Sequence, residues 1–547
     1  MSPEMSPEMG PEMGPEMGVV MSAPVTTDSP AAAAGGMLER ARWAARTYAR
    51  YDKASVDRVV AAVARAGAES ATRYAEWAVR ETGFGVAEHK ARKNVACSTG
   101  LAEAYAGDDY VSPRADPSGK ILSIPRPAGV VFALTPSTNP VATVYFKILL
   151  ALMTRNAIVI SPHPMAKECC ADAARTLAEA AVAAGAPDGV IQVVEEPKLP
   201  LVEAMMASPL VDVVVATGGT PVVRAAYRSG NPALGVGPGN VPVLVDRTAD
   251  LESAARLIVE SKSFDNSILC TNESVLIAED AIADRLVSLM RGAHLLSEAE
   301  RDRVRDALFP GGTFDTRFVG KDATWIAERA GVRVPPGTTV LLAPIDAAVP
   351  EEPLAHEKLC PVLALLRVSS ATSGIAAAKA VLRITGAGHS AAIHSTDPRT
   401  IMEYGAAVPV LRISVNSGNS LGSSGIHTNL PISMTIGTGY VGGSSAGGNL
   451  QPGDLVNWTR VAYHVDAPFG DFAGLDPWSP PDGPVPGYPE PSNARRPGLA
   501  VPVEASGPGG FGSGGSTAGS GAGAPQDALR DEIRRLILEE LASLVRS

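Results

Sequence analysis

The sequence predicts an α/β protein of two lobes, each a parallel β-sheet covered by crossover helices, and three observations carry that expectation. With 547 residues, 45% hydrophobic and 19% charged, the chain can bury a large core and is too long for one small module. Aromatic residues make up only 5% while Ala and Val dominate, so the core must come from small aliphatic side chains on helices and parallel strands. Short apolar runs also alternate with helical stretches along most of the length, which is the order of βαβ units.

Residues 1–36 open with MSPEMSPEMGPEMGPEMG and continue in Ser, Thr, Pro and Ala, a composition that cannot offset its ordering entropy. A disordered tail is expected there, with Met21 and Met37 as alternative starts. From 37 to about 106, apolar residues three and four apart among Arg and Glu predict surface helices, broken at Gly83 and Gly85. Residues 120–135 (KILSIPRPAGVVFALT) combine β-branched runs with Pro breaks, and 157–161, 189–194 and 211–216 are short apolar runs. Helices are expected at 166–184 and 199–207. A second alternating region predicts strands at 241–246, 274–278, 339–343, 361–368, 391–394 and 411–416, with helices at 250–262 and 280–292. From 472 to 525 the chain turns to Pro and then Gly/Ser, a flexible linker. It ends in 526–547, where Leu529, Ile533, Leu536, Ile537, Leu541, Leu544 and Val545 form one apolar helical stripe.

A formal net charge of -11 without a Lys/Arg cluster argues against nucleic-acid binding. Cysteines at 97, 169, 170, 270 and 360 are too few for a disulfide framework in so long a chain, which points to a reducing, cytoplasmic setting. No run of about 18 apolar residues occurs, and the N-terminus lacks the basic-then-apolar order of a secretory signal, so neither membrane insertion nor export is expected. His389 and His394 flank a strand rather than form a ligand set, and no metal site is predicted. Cys97 reads as core, Cys169 and Cys170 as helix packing, and Cys360 as a pocket wall.

The informative stretch is SFDNSILCTNESVLIAE, 263–279, where Cys270 follows a polar loop and precedes a β-run. An isolated cysteine is more often a small buried hydrophobe than a nucleophile. FDNSILC does not stand alone, however. Together with ETGFG at 81–85, TPSTNP at 135–140, SPHP at 161–164, ATGGTP at 216–221 and GVGPGN at 235–240, in that order, it resembles the CoA-acylating aldehyde dehydrogenases, notably the propionaldehyde and acetaldehyde enzymes of bacterial microcompartments.

The resemblance implies the aldehyde dehydrogenase fold, with two Rossmann-like lobes and a β-arm used in oligomerisation. It places a cofactor-binding domain at 37–237 with the arm near 110–128, a catalytic domain at 238–440, and a return to the cofactor-binding and oligomerisation region at 441–471. Cys270 would attack the aldehyde and hold the acyl group as a thioester, since a thiolate is both a strong nucleophile and a good leaving group. Asn139 and the Cys270 N–H would stabilise the oxyanion. Taken alone, Asn139 reads as a turn residue before Pro140.

By the same matching, Thr135, Pro136, Ser161, His163, Thr217, Gly218, Gly219 and Gly237 would bind NAD, with Glu357 orienting the nicotinamide ribose. Hydrolytic relatives carry a water-activating Glu where this chain reads Gly235-Val236-Gly237, so the implied acyl acceptor is coenzyme A. Phe264, Ile268, Leu269 and Thr271 would line a pocket for a small aldehyde. The family further implies a homodimer or homotetramer, and the 526–547 helix resembles an encapsulation peptide for a microcompartment shell protein. A hydrolysing enzyme releasing free acid, an acyl-phosphate reductase on the same fold and an inactive scaffold with a shell-binding tail stay open as alternatives.

Overall fold

A computed structural model describes residues 30–479 and 487–488. Two parallel sheets form its frame. The first runs in the order Ile191–Val193, Ala157–Ser161, Val130–Leu134, Val213–Ala216, Ala233–Gly235. Its three central strands are apolar and buried along almost their whole length, as strands covered on both faces must be. Helix Pro140–Met153 is buried at every position and fills the centre of this lobe, with Pro140 in the first turn where no N–H is needed. Around it, helix Lys53–Glu69 presents Val56, Val59, Val60 and Val63 inward and is capped by Asp52, which accepts from Ser55 N–H at 2.8 Å.

The second sheet has seven parallel strands in the order Ala293–Leu295, Val340–Ile345, Val362–Val368, Glu273–Glu279, Val241–Val245, Ala391–His394, Ile413–Val415. Residues 236–240 alone connect the last strand of the first sheet to the first of the second. This is the two-lobed α/β architecture expected. A third, antiparallel sheet joins Arg114–Asp116, Ile121–Pro127 and Val456–Ala462 and is largely exposed on its outer strands.

Three expectations change. Helix Pro30–Tyr48 begins inside the span read as a disordered tail, because Ala34 and Leu38 pack into the first core. The stretch 120–135 divides between two sheets: Ile121–Pro127 pairs antiparallel with Val456–Ala462, whereas Val130–Leu134 is the centre of the first parallel sheet. Gly129 makes the switch at φ +123, where a side chain would also collide with Asp212, whose carboxylate receives Val130 N–H at 2.7 Å.

Helix Ala87–Ala96 departs furthest from the surface pattern expected of it. It buries Lys90, Lys93 and Asn94 and leaves Val95 42% exposed. The end of the linker and the 526–547 stripe lie outside the described residues.

Because Phe132 is fully buried in the central strand, Phe132→Ala is expected to cost about 3–5 kcal/mol, against about 1 kcal/mol for removing the cap with Asp52→Ala. Midpoints of denaturant unfolding check that ordering.

Candidate active site

In the first sheet, chain order reverses between the neighbouring strands Val130–Leu134 and Val213–Ala216, which opens a crevice at their C-terminal ends. Residues 135–139, 161–165 and 217–219 leave the sheet there. Facing them are segments that enter the second sheet at its N-terminal edge: 236–240 before Val241–Val245, 268–270 before Glu273–Glu279, and 357–359 before Val362–Val368. Between the two edges lies a cavity of about 420 Å³. Thr135, Pro136, Asn139, Ser161, His163, Thr217, Gly218, Gly219, Gly237, Cys270 and Glu357 all line it. Residues far apart in the chain thus meet because two sheet edges oppose each other.

Cys270 is delivered by an unusual loop. Asp265, Asn266 and Ser267 all have positive φ, at 51°, 51° and 63°, a conformation that non-glycine residues keep only when their surroundings enforce it. Here they are enforced at every step. The fully buried Asp265 carboxylate accepts from Val86 N–H at 2.6 Å, from Lys90 Nζ at 3.1 Å and from Lys93 Nζ, while Asp265 N–H donates to His89 Nδ1 at 2.8 Å. Asn266 Nδ2 donates to Gly320 O at 2.9 Å, and Ser267 Oγ donates to Asn272 Oδ1. Gly85 of ETGFG is required by the same contact, since a Cβ there would lie 2.1 Å from Asp265 Oδ1.

Burial pushes the Cys270 thiol up to about 12; the nearby Glu357 adds to the shift and Arg412 opposes it. Burial likewise raises Glu357 to about 8, although its carboxylate accepts the Gly239 N–H. Gly239 is the tight point: a Cβ would lie 2.0 Å from Cys270 O and 3.3 Å from Glu357 Oε1. Near the thiol, the buried Arg412 donates through Nη2 to Gly437 O at 2.5 Å, and its Nη1 has no partner among the described residues. His389, fully buried, shares a 2.9 Å hydrogen bond with Ser390 Oγ, and its Nε2 has no partner among the described residues; burial and Arg412 push it down to about 3. Arg412, Lys93 and Asp265 were not identified from the sequence, and His389 was read only as a strand flank.

The other half of the cavity suits a dinucleotide. Among the described residues Thr135 Oγ1 is buried without a partner, and helix Thr220–Arg228 starts at Gly219 with no side-chain cap, leaving N–H groups for an anion. Thr217 Oγ1 meets Thr435 Oγ1 at 2.9 Å. His163 Nδ1 accepts Met165 N–H at 3.2 Å, and burial lowers the ring to about 4, so it stands neutral.

Of the expected aldehyde-pocket residues, Ile268 lines the cavity. The other three are placed elsewhere. Phe264 and Leu269 pack with Leu421 in a small core, where His89 stacks on Phe264 at 4.5 Å, and Thr271 is buried with its hydroxyl on Ser420 O at 2.8 Å. Cys360 is not a cavity wall either; it is fully buried in the second lobe's core. Cys97, Cys169 and Cys170 are buried in the first core, as expected of packing thiols.

A model of the aldehyde dehydrogenase family matches residues 19–303. The chain is 36% identical over 438 residues to the bifunctional aldehyde-alcohol dehydrogenase of Escherichia coli (strain K12), covering 79% of this chain and 49% of that enzyme. It therefore spans about half the length of the curated relatives it matches in this way. Among solved structures, an acetylating aldehyde dehydrogenase from Geobacillus thermoglucosidasius superposes with a TM-score of 0.79 at 37% identity, over 80% of this chain and 98% of that one. A propionaldehyde dehydrogenase from the fucose utilisation bacterial microcompartment of Clostridium phytofermentans gives 0.72 at 26% identity, over 79% and 97%. The chain belongs to the aldehyde dehydrogenase family.

Proposed function

We propose that this chain oxidises a short-chain aldehyde to its acyl-CoA thioester, with NAD as electron acceptor and Cys270 as acyl carrier. One observation carries the reading. Among the described residues that line the cavity, Glu357 is the only carboxylate, and with its pKa raised to about 8 it is mostly a neutral acid at pH 7. Segment 236–238, where hydrolytic relatives would bring a base, contributes Val, Gly and Pro. An acyl-enzyme held there has little anionic base to activate water at pH 7, so it waits for a stronger nucleophile, the thiol of CoA.

In this reading Cys270 gives up its proton to solvent, its thiolate attacks the carbonyl carbon, and the displaced π pair settles on an oxygen placed between Asn139 Nδ2 and Cys270 N–H. Thr135, Thr217, Gly218, Gly219 and Glu357 would hold NAD, which would supply an acceptor for the hydride leaving that carbon. The carbonyl re-forms as a Cys270 thioester. CoA sulfur then adds to the thioester and Cys270 leaves as thiolate, a departure the Arg412 charge eases. One thioester is exchanged for another, so the oxidation energy is retained and the reaction runs in both directions.

NAD is favoured over NADP because no Lys or Arg is found among the described residues lining the cavity, and the neutral His163 brings no positive charge to a 2′-phosphate. Ile268, Val319 and Leu359 in its wall suit a small apolar aldehyde of about two to four carbons. A homodimer or homotetramer is supported by the exposed antiparallel arm, whose edge strand Val456–Ala462 is open to pairing. Residence in a microcompartment is supported by the apolar stripe of 526–547 after a Gly/Ser linker and by the compartment origin of one structural neighbour.

With a two- to four-carbon aldehyde, steady NADH formation is expected to require CoA and to fall by at least about 10³-fold in Cys270→Ala; equal rates with and without CoA would refute the acceptor. Alkylation of Cys270 by iodoacetamide should be slow at pH 7 and accelerate with pH, because its thiol titrates near 12. Ionised Glu357 raises that pKa, so Glu357→Gln should match the unchanged enzyme below about pH 8 and react faster above it; slower alkylation would contradict the geometry. Deleting 526–547 should leave activity in solution intact while abolishing co-purification with shells.

A further inference from the structure

Helix Ala87–Ala96 is built inside out, burying two lysines and exposing a valine. Taking two ammonium groups out of water is unfavourable unless what they reach needs them. Both reach the single carboxylate of Asp265, so the buried cluster of Lys90, Lys93 and Asp265 keeps one net positive charge. The cluster also touches the oxyanion side of the cavity. Lys93 Nζ donates to Asn139 Oδ1, and Lys90 Nζ donates to Thr138 O at 3.1 Å.

An ammonium has donors only, so the atom of Asn139 that faces Lys93 must be the carbonyl oxygen. That leaves Nδ2, whose one partner among the described residues is Thr138 Oγ1 at 3.3 Å, as a donor for the cavity Asn139 lines. A chain from ammonium to amide carbonyl to amide N–H also polarises along its length, strengthening the last donor.

We propose that Lys93, anchored by Asp265, is a positioning residue of the acyl-transfer site: it locks the Asn139 amide with Nδ2 presented to the oxyanion and sets a cation directly behind that donor. The inference rests on the roles given above to Cys270 and Asn139. Its chemistry is electrostatic, and no bond to Lys93 is made or broken. The requirement for this cluster accounts for three otherwise separate features: the buried lysines, the left-handed Asp265, and Gly85, where any side chain would displace the carboxylate.

The test is a double-mutant cycle read in the first turnover, as NADH formed from enzyme, aldehyde and NAD before CoA is added. Lys93→Met is expected to slow this step by about 10–100-fold with less than about a threefold change in aldehyde KM, and to cost under about threefold in an Asn139→Ala background. Lys93→Gln, which retains an N–H towards Asn139, should recover about tenfold over Lys93→Met. The proposal is overturned if Lys93→Met costs as much with Asn139→Ala as without it, or if the Gln and Met variants are equally slow. Should Lys93→Met fail to show a cooperative thermal transition, Lys93→Gln is carried through the same cycle with the same criterion. Full-rate NADH turnover without CoA in the unsubstituted enzyme would remove the CoA-acceptor reading while leaving this cycle readable.

Discussion

The ion cluster around Asp265 is the contact on which the site depends. Its carboxylate anchors the first of three consecutive left-handed residues, the next two being held by Gly320 and Asn272, and those residues precede Cys270 where it emerges from the second lobe. The lysines that bind it belong to a helix of the first lobe, and one of them also contacts Asn139 at the start of that lobe's central helix. One buried charge cluster therefore registers Cys270 against Asn139 across the boundary between two sheets. Breaking such a cluster by removing one partner costs about 3–5 kcal/mol in typical proteins, since the remaining charge stays buried.

In the proposed reaction, that registration is what lets a thiol so reluctant to ionise serve. Burial disfavours the thiolate at rest and Glu357 adds to this once ionised, while Arg412 and Lys93 favour it. A protonated resting thiol is protected from adventitious chemistry. Attack becomes favourable when the negative charge passes on to a carbonyl oxygen beside prearranged donors, which stabilise charge without reorganising. Glu357 fits the same economy: pinned by Gly239 N–H and mostly neutral at pH 7, it neither repels the thiolate strongly nor activates water.

Much of this was legible in the sequence because each motif sits at a strand end, and strand ends converge in parallel sheets. TPSTNP, SPHP and ATGGTP follow three adjacent strands, so their residues met at one edge as the order of apolar runs implied. Lys90 and Lys93 were not legible, since lysines three apart on a helix read as a solvated face and only the distant Asp265 reverses that meaning. Arg412 was missed for a related reason: it gains its significance from burial near Cys270, over 100 residues away in sequence, and His389 gains its own from burial near Arg412. Phe264 and Leu269 were misplaced because proximity to Cys270 in sequence was taken for a place on the cavity surface, whereas they pack in the small core behind its wall, together with Ile268 and Val319.

The central claim is that Cys270 holds an acyl group that water seldom removes and CoA does. Intact-protein mass spectrometry after mixing enzyme, aldehyde and NAD tests it most directly. The account predicts a mass gain of one acyl group per chain, located on the peptide containing Cys270, stable until CoA is added and then lost as acyl-CoA. Free acid released at the rate of NADH formation, with no acylated Cys270 and no response to CoA, would contradict it.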